Sequence, residues 1–304
     1  MTITFTLNGK ATRWNADPGT PLLEELRKHG IVSVRSGCDG EGVCGLCAVI
    51  MNGRQVNSCQ LPCGQIDGAD IYTIDFYRGD EGLRVIQKAL IDSACVQCGY
   101  CTPAVTLAIH TLLKRNPEPD KAAIQDALSG TLCRCTGYEQ FYNAVRLASK
   151  RMLDPSYHED MYPEFKPELR HVGKNRQKID ALMMATGQRL YVEDFVDPDA
   201  CHIVLLESPH AHAFIKRIDT SKALAMPGVV TVLTHENCPQ FTYTTAGQGY
   251  PEPSPYDQMM FSRKLRYVGD RVAAVLAETL EQAEAAVAAI QVEYEVLKPV
   301  LTIK

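Results

Sequence analysis

No run of about 18 apolar residues occurs in this chain, so an ordinary membrane-spanning helix is not expected. The N-terminus, MTITFTLNGKATRW, alternates apolar and polar residues and has no basic region ahead of an apolar core. No export signal is therefore expected. Lysine and arginine form no dense run, and the net charge is −5, which gives no footing for a nucleic-acid surface. Internal repeats and low-complexity tracts are also missing. Cysteine, by contrast, is plentiful: there are 12, most of them in the first half of the 304 residues. In a secreted chain they would read as disulfides. Without an export signal, closely spaced cysteines point to metal ligands or redox groups. A cytoplasmic protein with metal in its first half is the expectation.

The length allows two or three domains. Residues 1–76 read as a small β-rich domain. Asn8-Gly9 and Asn52-Gly53 each sit between alternating runs, the pattern of a tight hairpin. PLLEELRKHG reads as a short helix with Thr20 as cap, Pro21 at its first position and Gly30 past its end. ADIYTIDF reads as a last strand. Two hairpins, a helix and that strand predict a compact mixed sheet with the helix across one face. Residues 77–155 are predicted helical. Leu83, Ile86, Leu90 and Ile91 fall at helical spacing, Thr102-Pro103 opens a second helix, and DKAAIQDALSG and GYEQFYNAVRLASKRM supply two more. Residues 156–170, rich in proline and polar groups, read as a linker. From 171 to 304 strands and helices mix: GVVTVLT, DRVAAVLAE and QVEYEVL read as strands, TLEQAEAAVAAI as a helix. The ending PVLTIK has no cap, polar tail or closing turn, so a longer polypeptide is expected.

Cys38, Cys44, Cys47 and Cys59 give the spacing C-x5-C-x2-C-x11-C. The plant-type [2Fe–2S] arrangement takes three thiolates from one tight loop and a fourth from farther on. Gly37, Gly40, Gly42 and Gly45 can take positive φ and turn amides toward the sulfurs, which offsets the negative charge of a cluster. A zinc site is the competing reading, although four-cysteine zinc sites usually pair two C-x2-4-C knuckles and only one is present here. A second set comes later in the chain: Cys98 and Cys101, then Cys133 and Cys135. Each pair stands ahead of a predicted helix, whose free amides favour negative charge. Cys95 with Cys98 also fits C-x2-C, but Cys98 with Cys101 fits the helix start better. Cys63, Cys95, Cys201 and Cys238 are left as small buried hydrophobes.

With those motifs in view, the chain resembles the molybdenum hydroxylases of the xanthine dehydrogenase and aldehyde oxidoreductase family. GCDGEGVCGLC with a later cysteine is similar to the family's ferredoxin domain. QCGYCTP with CRCTGY is similar to its helical [2Fe–2S] domain, and the stretch from 171 onward to the first α/β domain of its molybdenum-binding portion. The resemblance implies an α+β multidomain chain: a β-grasp [2Fe–2S] ferredoxin domain, a four-helix [2Fe–2S] domain and an α/β hammerhead-like domain. It implies two [2Fe–2S] clusters, held by Cys38, Cys44, Cys47 and Cys59 and by Cys98, Cys101, Cys133 and Cys135. Gln97 and Cys135 would approach the pterin of the molybdenum cofactor (molybdopterin). On the residues alone, Gln97 is an ordinary polar cap at a helix start.

The resemblance implies the electron-transfer portion and the start of the molybdopterin-binding portion of a xanthine or hypoxanthine dehydrogenase-like hydroxylase. No catalytic residue falls within these 304 positions, and the chain is expected to be inactive alone. Its partners would be the remainder of the molybdenum-binding subunit, a separate FAD subunit or other electron acceptor, and a second copy in a homodimer of the complete enzyme. The alternative is a free-standing [2Fe–2S] electron-transfer subunit. One departure stands out: five residues separate Cys38 from Cys44 where relatives have four, which a bulge in a glycine-rich loop can absorb. His210 and His212 share the H-x-H spacing that points both rings one way on a strand, but no third ligand stands near, and a structural role is expected. TTAGQGYPEPSP reads as an exposed loop.

Overall fold

The structure is a computed structural model describing residues 1–303 except 160, 162–167, 175, 189, 196, 198 and 246–254, and except the side chains of 78 and 79. Part of the expected linker, and most of TTAGQGYPEPSP, lie outside the described residues.

Strands β1 (Thr2–Leu7) and β2 (Lys10–Asn15) pair antiparallel through Asn8-Gly9, with φ of 51° and 75°. Strands β3 (Ala48–Met51) and β4 (Arg54–Asn57) repeat this at Asn52-Gly53. Positive φ at both central positions gives the turn whose twist matches paired strands. Strand β5 (Asp70–Tyr72) runs parallel to β1 and completes a sheet of order β2-β1-β5-β3-β4. It is shorter than expected, because the Thr73 hydroxyl accepts the Asp75 amide and turns the chain into a 3-10 helix at Ile74–Gly79. Helix α1 (Leu22–Lys28) buries Leu22, Leu23 and Leu26 with Ile3, Phe5, Val49 and Ile71. Each such leucine contributes about 2 kcal/mol of transfer free energy. Its cap position is Pro21, not Thr20, and makes no side-chain cap bond; the Leu22 amide bonds instead to the Leu61 carbonyl at 2.8 Å.

Four helices come next: α2 (Glu81–Asp92), α3 (Thr102–Arg115), α4 (Lys121–Leu128) and α5 (Glu139–Leu153). Asp80 caps α2 by accepting the Leu83 amide, and Asp120 caps α4 by accepting that of Ala123, both at 2.8 Å. Leu83, Ile86 and Leu90 of α2 form one core with Val105, Ile109, Phe141 and Leu147. The sheet and this bundle belong to one compact unit, Met1–Phe195. The short helix α6 (Ala181–Ala185) is part of it, since the buried Gln87 donates to the Ala185 carbonyl at 3.1 Å. The described residues of 171–195 therefore belong to the same unit as the cysteine-rich half of the chain, whereas the sequence pattern groups them with the strands and helices beyond residue 196.

The second unit spans Val196–Lys304. Strands β6 (His202–Glu207), β7 (Ala213–Asp219), β8 (Val229–Thr234), β9 (Lys264–Leu265), β10 (Arg271–Ala277) and β11 (Gln291–Val296) form two three-stranded sheets, β6-β10-β8 and β11-β7-β9. Two helices accompany them, α7 (Ser221–Leu224) and α8 (Leu280–Ala289). A capping box starts α8: Thr279 accepts the Gln282 amide and the Gln282 side chain accepts the Thr279 amide. Its Ala283 and Ala286 pack into the core with Val232, Val272 and Val275. The expected strands at 229–234, 271–277 and 291–296 are present, and only β10 is buried along most of its length. Among the described residues no helix is long and apolar enough to cross a membrane.

Candidate iron–sulfur centres

The first cysteine loop leaves α1 through buried Val34 and Arg35 and returns into β3. Within it the thiols meet in pairs. The Cys38 thiol neighbours that of Cys44, and the Cys47 thiol neighbours that of Cys59, which stands just past β4. Backbone donors surround them. The Cys44 amide bonds to the Cys38 sulfur and, with the Cys44 thiol and the Val43 and Gly42 amides, holds that thiol down at about 7 against burial. Burial pushes the Cys44 thiol up, opposed by the amides of Leu46 and Gly37. Burial likewise pushes Cys47 up to about 11, opposed by the Cys59 amide and the Ser58 hydroxyl. The Gln60 amide group lies 3.6 Å from the Cys59 sulfur. Gly40, Gly42 and Gly45 take positive φ, and so does Asp39. Gly37 does not; it is needed for space, since a Cβ there would lie 2.7 Å from Leu46 Cδ1.

The second set repeats the pairing. The Cys98 thiol neighbours that of Cys135, and the Cys101 thiol neighbours that of Cys133. Cys101 is the cap residue of α3, one position earlier than the sequence predicts, so its thiol stands at that helix's N-terminus. Its contact with Cys133, and then burial, push the Cys101 thiol up, while the same contact brings Cys133 down to about 5. The Thr136 hydroxyl donates to the Cys133 sulfur at 3.3 Å, and the Thr136 and Cys135 amides add to it. Cys133 and Cys135 lie in the turn ahead of α5, as expected. Tyr138 closes that turn, its hydroxyl accepting the Cys133 N–H at 2.9 Å. Gly99 makes the pair Cys98 and Cys101 possible. Its φ is +78°, and a Cβ there would lie 2.5 Å from Met184.

Among the described residues, no three of the histidine, cysteine and acidic side chains converge on one point for a single ion. The two-plus-two pairing suits a centre with two irons, each taking two thiolates, and the inward amides suit its negative charge. The residues present therefore fit such a centre at both places.

Gln97 is exposed and lines a cavity of about 800 Å³ with Lys88, Asp92, Arg151 and Lys178. It is not the helix cap, a position that Cys101 holds. Cys135 is exposed, Cys63 and Cys95 are buried, Cys201 is exposed and Cys238 half-buried, so the buried-hydrophobe reading holds only for the first two leftover cysteines. The thiol of Cys95 turns to the Ser93 carbonyl at 3.8 Å. His210 and His212 fall between β6 and β7, not on a strand. The His210 ring meets Tyr294 edge-on at 5.0 Å, and His212 Nδ1 lies 3.1 Å from the Lys298 carbonyl, both structural contacts.

A further group near both loops has almost no signal in the sequence. Arg35 is 1% exposed and pairs with the buried Asp194. Its guanidinium lies 4.6 Å from the centre of the Tyr191 ring and 5.6 Å from that of Tyr100. The one local hint is an arginine embedded in the largely apolar stretch before Cys38.

Comparison with known proteins places these features. Residues 5–70 match the 2Fe-2S iron-sulfur cluster binding domain, 73–146 the [2Fe-2S] binding domain, and 186–298 the a/b hammerhead domain of aldehyde oxidase and xanthine dehydrogenase. The nicotinate dehydrogenase small FeS subunit of Eubacterium barkeri is 42% identical over 152 residues, which are 50% of this chain and 96% of that protein. The chain belongs to the molybdenum hydroxylase family. As a member it combines two [2Fe–2S]-binding domains with the hammerhead domain of a xanthine dehydrogenase-like enzyme. The probable hypoxanthine oxidase XdhD of Escherichia coli (strain K12) is 46% identical over 303 residues, 100% of this chain and 32% of that protein. The aldehyde oxidoreductase structure from Desulfovibrio gigas superposes with a TM-score of 0.85 at 30% identity, covering 98% of this chain and 34% of that one. The chain thus spans about a third of the length of these larger molybdenum hydroxylases. The complete enzymes of the family use molybdopterin.

Proposed function

We propose that the first unit of this chain conducts electrons, one at a time, between the molybdenum site of a purine hydroxylase and an electron acceptor. The observation that carries this reading is the pairing of eight thiols, four in each of two sets, ringed by inward amides. Cys38, Cys44, Cys47 and Cys59 hold the ferredoxin-type cluster; Cys98, Cys101, Cys133 and Cys135 hold the helical one. When bound, each cluster takes up and releases a single electron. The chain's own work is to bury the sulfurs and to place amides and hydroxyls that favour the reduced charge.

Gln97 and Cys135 face the pterin of the molybdenum cofactor in this reading, supported by the exposure of both and by the cavity beside Gln97. Similarity to XdhD supports a purine such as hypoxanthine as substrate. Turnover then requires the larger molybdenum-binding portion, and the 304 residues alone turn over no purine. A separate FAD protein as acceptor, a homodimer of the complete enzyme and a cytoplasmic location belong to the same reading.

Anaerobic preparation and metal analysis test it. About four irons and as many acid-labile sulfides per chain are expected, with two distinct EPR signals after reduction. A colourless protein carrying zinc, or iron in only one of the two cysteine sets, overturns it.

A further inference from the structure

Resting on that reading, we infer that Arg35 is a positioning residue that locks the two cluster loops together. Three segments of the first unit converge on it. Arg35 stands three residues before Cys38, Tyr100 lies inside the Cys98–Cys101 loop, and Gln188, Tyr191 and Asp194 come after α6. The guanidinium pairs with Asp194 through Nη1 and donates from Nη2 to the Gln188 carbonyl at 3.0 Å. Asp194 is fixed in turn. Burial works against its charge, but Arg35 and the amides of Leu190 and Tyr191 hold its carboxyl below the usual range.

Both tyrosines that flank the cation end on a cluster loop. The Tyr100 hydroxyl donates to the Ser36 carbonyl at 2.7 Å, and the Tyr191 hydroxyl donates to the Cys98 carbonyl at 2.6 Å. The rings meet each other edge-on at 5.0 Å. One buried cation thus orients two rings, and the rings hold the backbone two residues before Cys38 and the backbone of Cys98 itself. A shift of the guanidinium would move both loops together.

Energetics favour positioning over bulk stabilisation. Charges buried as an ion pair regain little beyond their desolvation, and apolar residues of similar volume often serve stability as well. What an apolar cluster cannot do is fix two hydroxyls in direction. The planar guanidinium does so, because it stacks on rings while its edge bonds a carboxylate and a carbonyl.

The test uses the full chain with its clusters assembled. Arg35→Met combined with Asp194→Leu removes the pair; Arg27, which lies 3.8 Å from Asp194, keeps its bonds to the Val34 and Glu193 carbonyls. Expected are wild-type iron content and both EPR signals, but an altered magnetic interaction between the two reduced clusters. Tyr191→Phe, which deletes only the bond to Cys98, is expected to shift the reduction potential of the helical cluster and leave the ferredoxin-type one in place. Iron-replete variants whose interaction and potentials equal those of the parent overturn the inference. So does a parent with both clusters and no magnetic interaction at all. Should the double variant not fold, Tyr191→Phe and Tyr100→Phe decide by the same two readings. Absence of clusters from the parent would instead defeat the cluster assignment, a separate result read from iron alone.

Discussion

Gly45 and Gly130 touch across the first unit so closely that a Cβ on Gly45 would lie 1.8 Å from the Gly130 carbonyl oxygen. Beside them, the Leu132 amide donates to the Cys44 carbonyl at 2.8 Å. The ferredoxin loop is thereby seated on the loop that leads to Cys133. Gly45 also has φ +67°, so alanine there meets both strain and a clash. Gly45→Ala is expected to cost about 2 kcal/mol or more in chemical denaturation. A Cβ on Gly130 meets nothing within 4 Å, so Gly130→Ala should stay close to the parent. Equal stabilities for the two variants would contradict the contact.

Legibility in the sequence depends on the range of the interaction. Both Asn-Gly hairpins are legible, because a two-residue turn with positive φ is decided by its own residues. The helices of the first two domains are legible from their spacing, with the caps of α1 and α3 displaced by one position. The end of β5 and the packing of 171–195 are not, since Asn8 holds Thr73 from 65 positions away and the Gln87–Ala185 bond spans 98. For the candidate sites, the cysteine sets stand out by spacing alone, whereas their division into pairs requires coordinates. The Arg35–Asp194 pair, 159 positions apart, has no sequence signature.

The pairing makes the two proposed centres separable. Cys135→Ser is expected to remove or degrade the helical cluster signal and leave the ferredoxin-type signal intact. Cys44→Ser should do the reverse. Cys63→Ala, a change at a buried thiol outside both sets, should keep all the iron while costing about 1 kcal/mol of stability. Joint loss of both signals in either serine variant would mean that the sites do not assemble independently.

Acid should expose a third contact. Arg146 bonds both oxygens of Glu159, at 2.9 and 2.8 Å, and the Tyr157 hydroxyl donates to one of them at 2.6 Å. Arg146, and then Tyr157, lower the Glu159 carboxyl from 4.5 to about 2. A carboxylate depressed in the folded state stabilises it fully above pH 4.5 and loses that contribution as pH falls toward 2. The side chains are 41% and 31% exposed, so solvent screening keeps the effect small. Glu159→Gln should therefore be less stable than the parent at neutral pH, with the difference closing as pH falls below 4.5 and shrinking in high salt. A gap that stays constant down to pH 2 would refute the assignment.

The hydroxyl of Thr136, 3.3 Å from the Cys133 sulfur, offers the narrowest test of how the chain tunes the helical cluster. A donor to a ligand sulfur favours the more negative, reduced state, so it raises the reduction potential. Thr136→Val keeps the shape of the side chain and removes that donor. It also removes the bond by which the Thr136 hydroxyl accepts the Tyr138 amide at 3.2 Å, so the turn before α5 will loosen slightly. Thr136→Ser separates the loss of the hydroxyl from the loss of side-chain packing, because it keeps the hydroxyl and loses only a methyl group. Potentiometric EPR titration is expected to give a fall on the order of tens of millivolts for valine, with serine close to the parent and the ferredoxin-type signal unmoved in both. A rise in potential for valine, or an equal fall for serine, would show that the hydroxyl's bond to Cys133 is not what sets the charge balance there.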